Sequence, residues 1–134
     1  MASSPFFTNP FGTSVSFTSA DTTVAKVIST FGGLGGRLFS LSFVNTSGVA
    51  QTMQIYRRVS GTSFLIGEVP VAIGAGVSGA APAEYVAPAF IPALSNMPAL
   101  LDGIPFAPAD GVWASAKTTI AAGAVHASLV AGNG

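Results

Sequence analysis

Residues 37–44, RLFSLSFV, decide the fold. Apolar and small polar residues alternate along them, so that Phe39, Leu41 and Phe43 fall on one face and Ser40 and Ser42 on the other, the period of a strand with one buried side. The next segment, QTMQIYRRV at 51–59, repeats the pattern, with Met53, Ile55 and Val59 inward and Gln54, Tyr56 and Arg58 outward. With a polar turn at Asn45–Gly48 between them, the two predict a hairpin. Asn45-Thr46-Ser47 also fits a glycosylation sequon and is read as part of that turn. A third run, SFLIGEVPVAI at 63–73, is entered at Ser60-Gly61 and left at Gly74-Ala75-Gly76. Its Pro70 predicts an edge position or a bulge, because proline cannot donate to a ladder.

Further out, TSVSFT at 13–18 and TVAKVIST at 23–30 are short and β-branched. GVWASAKTT at 111–119 and AVHASLV at 124–130 flank Ala122-Gly123 and predict a last hairpin with Val125, Ala127 and Leu129 inward. No stretch sustains a 3.6-residue period over three turns. Residues 84–108, EYVAPAFIPALSNMPALLDGIPFAP, are apolar and punctuated by proline, which reads as a long crossing connection with a helical turn around Ala93 to Asn96. The expectation is an all-β, single-domain antiparallel β-sandwich or jelly-roll-like barrel of about seven to eight short strands. It occupies 13–134, preceded by an apolar arm at 1–12 that contains PFFTNPFG.

Composition limits the function. Only 7% of the 134 residues are charged, against about 25% in an average chain, while 49% are hydrophobic and the formal net charge is +0. Such a surface has little to keep copies apart in water, so either a membrane or neighbouring protein is expected to cover much of it. The longest uncharged runs, 69–83 and 85–101, are broken by Pro70, Gly74, Gly76, Gly79, Pro82, Pro88, Pro92 and Pro98, which argues against a bilayer helix. The strands lack the paired aromatic girdles of an outer-membrane barrel. MASSPFFTNP has no basic region and predicts no signal peptide. With no cysteine, neither a disulfide framework nor a thiolate metal site is available.

Candidate chemistry is sparse. His126 is the single histidine and reads as a partly exposed strand residue, on the face opposite Val125 and Ala127. Asp21, Glu68, Glu84, Asp102 and Asp110 are isolated from one another, with no pairing of the glycosidase kind and no acidic loop for Ca²⁺. Gly32-Gly33-Leu34-Gly35-Gly36 lacks the Gly-Lys-Ser/Thr ending of a phosphate loop and precedes a strand, so a flexible loop is expected. Arg57 and Arg58 point to opposite sides of their strand, and five basic residues in all leave no footprint for nucleic acid. Trp113 reads as a core or interface anchor. No catalytic residue, metal ligand or cofactor is assigned. Phe6, Phe7 and Phe11 have two readings: they plug an end of their own sandwich, or they lie on a neighbouring subunit.

Three stretches carry a family resemblance: FTSADTTVAKVIST at 17–30, GGRLFSLSFVNTSGVAQTMQIYRRVSGTSFLIGEVPV at 35–71, and IPALSNMPALLDGIPFAPADGVWASAKTTIAAGAVHASLVAG at 91–132. Their order, with a strand, an asparagine-threonine turn, a strand, an IPAL element and a closing pair of strands, resembles small accessory virion proteins of tailed bacteriophages. The resemblance runs from about Phe17 to Val130 and is one of layout. It implies a non-enzymatic structural role in the virion, assembled in the host cytoplasm: a capsid decoration or cement protein, partnered by the major capsid protein or other virion subunits and by copies of itself. Neither nucleic acid nor membrane is among the expected partners. The expected contact residues, inferred from their apolar character, are Phe6, Phe7, Phe11, Phe90, Ile91, Leu94, Met97 and Trp113. Two alternatives stand beside it, a tail-tip or fibre module and a carbohydrate-binding sandwich using Trp113, Tyr56 or Tyr85.

Overall fold

The computed structural model describes residues 9–77, 82–85 and 104–133. Nine strands are found among them: β1 (Asn9–Phe17), β2 (Lys26–Thr30), β3 (Gly36–Asn45), β4 (Gln51–Val59), β5 (Thr62–Val71), β6 (Glu84–Tyr85), β7 (Ile104–Phe106), β8 (Gly111–Ala116) and β9 (Val125–Asn133). Apart from a single 3-10 turn at Ser19–Asp21, the described residues hold no helix. Two antiparallel sheets face each other without closing into a barrel, so the fold is a β-sandwich. One sheet runs β1-β9-β3-β6, with β7 also on β3; the other runs β2-β8-β4-β5.

The order follows from nested pairing. β1 pairs with β9, β2 with β8, β3 with β7 and β6, and β4 with β5, as in one long hairpin. Rolling that hairpin brings β3 beside β9 and β4 beside β8, and these contacts complete the two sheets. This is the strand arrangement of a jelly roll, realised as an open two-sheet sandwich.

Each sheet contributes one apolar face to the core. Phe17, Leu41, Phe43, Val125, Ala127 and Leu129 come from the first, and Met53, Ile55, Val69, Val71, Val112 and Ala114 from the second, all essentially solvent-free. Burying each of the larger ones contributes about 1.5–3 kcal/mol relative to exposure. At one end, Phe31 stacks on Phe106 at 4.9 Å between ring centroids and meets the edge of Phe11 at 6.1 Å.

Several expectations change here. The expected hairpins at 37–59 and 111–130 do not form: β3 and β9 belong to one sheet, β4 and β8 to the other. Both connections instead cross the roughly 10 Å between sheets, and they do so side by side, with Thr46 N donating to Ala124 O at 2.8 Å. Asn45, fully buried, holds the first crossing: its Nδ2 donates to Val49 O and Ala72 O, and its Oδ1 accepts from Ser47 N and Ser47 Oγ. In β3 the inward set is Leu38, Leu41 and Phe43, because the register against β9 slips between Leu38 and Ser40 and turns Phe39 towards solvent. The arm is shorter than 1–12, since residues from Asn9 onwards pair with β9. The glycine stretch is a fitted turn: Gly35 N donates to Gly32 O, Ala109 N donates to the same oxygen, and Gly35 has a φ of +75°.

Other expectations hold. β5, with Pro70, is an edge strand. The β4–β5 hairpin turns at Ser60 and Gly61, both at positive φ (51° and 83°), the geometry that suits the twist of a two-residue hairpin.

Candidate functional site

The outer face of the β2-β8-β4-β5 sheet carries polar, apolar and charged side chains arranged in lateral rows set by strand register. One row is polar. Ser115 lies opposite Gln54, and Gln54 opposite Glu68. Tyr56 Oη donates to Gln54 Oε1 at 2.9 Å and lies 3.2 Å from Ser115 Oγ. Gln54 Nε2 donates to Glu68 Oε2 at 2.8 Å, and Lys117 Nζ donates to Glu68 Oε1 at 3.1 Å. The Gln54 amide, then Lys117, hold the Glu68 carboxyl below its ordinary range.

The next row is apolar and crosses all four strands: Val27 opposite Trp113, Trp113 opposite Tyr56, Tyr56 opposite Leu65. Its ends are open to solvent, with Val27 42% and Leu65 52% exposed. A third row runs Thr30, Gly111, Arg58, Ser63. Gly111 leaves a gap in it: a methyl group there would come within 2.9 Å of Trp113 Nε1, so the glycine is what lets the indole lie over its own strand. Arg58 lies over Trp113, its guanidinium carbon 4.1 Å from the ring centroid, and its Nη1 donates to Ser63 Oγ at 3.0 Å.

This third row opens into a cleft of about 440 Å³ at one end of the sheet, walled by Trp113, Arg58, the Ser60-Gly61 turn and the Pro108-Ala109 turn. An ion pair with a buried acid and a partly exposed arginine fixes the far wall. Asp110 Oδ2 accepts from Arg57 Nε at 2.9 Å, from Arg57 Nη2 at 2.6 Å and from Ala107 N at 3.2 Å, while Arg57 also lies 5.1 Å over the Phe106 ring. Arg57 and Arg58 thus leave their strand in opposite directions, as the sequence predicts. Asp21 and Lys26 make a second, more exposed ion pair, and the backbone N–H of Thr18, then Lys26, hold the Asp21 carboxyl below its ordinary range.

The opposite sheet presents small hydroxyl side chains. His126 is exposed there, with Nδ1 2.7 Å from Ser16 Oγ, and Ser14 meets Ser128 at 3.5 Å. A serine beside a histidine is part of a nucleophile arrangement, but among the described residues no third group orients the ring. No cluster of three metal-ligating side chains occurs among the described residues, and no helix there is long and apolar enough to cross a membrane.

Of the predicted contact residues, Trp113 lies half-buried on the outer face just described, and Phe11 turns inward to pack on Phe31 and the core. Phe6, Phe7, Phe90, Ile91, Leu94 and Met97, together with the helical turn at Ala93 to Asn96, lie outside the described residues. Sequence reasoning missed Val27, Leu65 and Gly111. The signal for Gly111 is its spacing: two residues before Trp113 on a strand is the same face. Val27 and Leu65 gain their role only from register. Compared with known proteins, the chain matches no family model, no curated protein and no solved structure.

Proposed function

We propose that the chain is a non-enzymatic structural subunit of a phage virion, a decoration or cement protein bound in many copies to the head shell, with the outer face of the β2-β8-β4-β5 sheet as its contact surface. The observation that carries this reading is the row Val27–Trp113–Tyr56–Leu65. It sets apolar side chains across all four strands, exposed at both ends and half-buried between, in a chain of which only 7% is charged, and such a patch suits burial against protein. The jelly-roll arrangement supports it as an analogy of architecture, since that fold serves in many viral shells and in lectins and does not dictate function by itself. The layout resemblance adds the phage context. Attachment through such a face draws on apolar and main-chain contact repeated over many copies, and depends little on salt.

The carbohydrate alternative asks Trp113 for an open ring face, and Arg58 already occupies one. The test is co-sedimentation of the purified chain with intact heads lacking it. Stoichiometric binding that survives molar salt, and that the double variant Val27→Asp/Leu65→Asp loses while its melting curve stays close to that of the parent, is the expected result. Failure to bind heads, or equal binding by the variant, ends this reading.

A further inference from the structure

The cleft beside Trp113 is lined by several hydrogen-bond donors and by one carboxylate, Asp110, which is paired with Arg57. Among the described residues, Lys26 pairs with Asp21, Lys117 with Glu68 and Arg57 with Asp110. Arg58 has no carboxylate partner among the described residues: its contacts there are the Trp113 ring and, through Nη1, the Ser63 hydroxyl, with no acceptor at Nε or Nη2. Among the described residues, the Trp113 Nε1–H, brought over Gly111 by the missing side chain there, meets no acceptor. Thr30 and Ser60 add hydroxyl groups to the rim. The one acid in the wall, Asp110, is buried, and Arg57 and Ala107 N take up its Oδ2.

We propose that this cleft is a binding site for a carboxylate, held by the Arg58 fork and the Trp113 Nε1–H, with the body of the ligand lying along the Pro108-Ala109 turn. Three features favour it. The volume, about 440 Å³, lies within the range of small-molecule sites. Contact with the indole and the bond to Ser63 hold the guanidinium in place before any ligand arrives, which removes part of the ordering cost of binding. Ala109, a non-glycine residue at positive φ (65°) outside any hairpin turn, lines it, and strained backbone of this kind concentrates at binding sites. A single cation matches a monoanion, whereas a phosphate dianion calls for more positive charge or a nest of backbone N–H groups.

The site's own residue supplies the readout, because Trp113 is the only tryptophan and gives the only indole N–H signal in a ¹⁵N-correlated spectrum. The full chain is titrated with glucuronate and with N-acetyl-alanyl-alanine, with glucose and the peptide amide as neutral counterparts, and with inorganic phosphate. The expected result is a saturable downfield shift of the indole proton with at least one of the two carboxylates and none with its neutral counterpart; which carboxylate binds tells a sugar acid from a chain terminus. Arg58→Gln should weaken that binding by roughly tenfold or more while the remaining amide spectrum stays that of the folded parent. No saturable shift with either carboxylate, equal response to a neutral counterpart, tighter binding of phosphate, or unchanged affinity in folded Arg58→Gln each overturns the assignment. None of these outcomes bears on binding to heads.

Discussion

Asp110 shows how one residue sets the shape of the cleft. Three donors converge on its Oδ2, two from Arg57 on β4 and one from the backbone of Ala107, so a single carboxylate ties the turn before β8 to the sheet it enters. The pair is asymmetric: the Asp110 side chain is 5% exposed and that of Arg57 37%. Removing the acid leaves a partly exposed guanidinium and the N–H of exposed Ala107, both of which water partly rescues. Asp110→Ala is therefore expected to cost about 2–3 kcal/mol, below the full penalty for breaking a wholly buried pair. Chemical denaturation measures it, and the double variant with Arg57→Ala should lose little more than Asp110→Ala alone, because one interaction is being removed twice. Additive losses would show that the two side chains act independently. In sequence, Asp110 is an isolated acid and Arg57 half of a basic pair. Strand alternation separates the two arginines, but only the fold joins residues 53 positions apart.

At the scale of elements, strand character was readable and partnership was not. Period two in 37–44 and 51–59 reports that each segment has one buried face; it is silent on whether the faces belong to one sheet or to two packed together. A short polar link suits either a hairpin or a crossing, and the physical difference lies in Asn45, whose buried amide makes the crossing self-sufficient in hydrogen bonds. Asn45→Ala strips the acceptor from buried Ser47 and the donor from the carbonyls of Val49 and Ala72, and empties a fully buried side-chain position. A loss of about 2–4 kcal/mol is expected, read from the urea midpoint, whereas a loss under about 1 kcal/mol, typical of an ordinary exposed turn position, would remove the crossing from the account. The slip at Phe39 was illegible for a related reason: a bulge is a property of two strands in register, and β9, the partner, lies some ninety residues away. Pro70 was legible because its constraint is local, a missing N–H that only an edge tolerates.

For the whole molecule, the question is where the body ends and the arm begins. Three phenylalanines in PFFTNPFG look alike in sequence, yet Phe11 belongs to the sandwich: it packs against Phe31 within a strand whose pairing to β9 starts at Asn9. An arm of twelve residues predicts that removing 2–11 leaves the fold intact, and the observed pairing reverses this. Starting the chain at Asn9 keeps every β1–β9 pair and should leave the thermal midpoint within about two degrees of the parent, a change of under about 0.5 kcal/mol. Starting it at Thr13 removes four paired residues and the Phe11–Phe31 contact, exposing Phe31 at the end of the core. That chain should lose about 2–4 kcal/mol, a large share of the stability of a domain this size. Differential scanning calorimetry of the two truncations distinguishes the boundaries: equal midpoints would place the end of the body at Thr13, and a sharp drop confined to the second truncation places it at Asn9. If the first truncation retains its fold but no longer sediments with heads, the contact surface extends beyond the sheet to residues 2–8; undiminished binding would leave the Val27–Leu65 row as the attachment face.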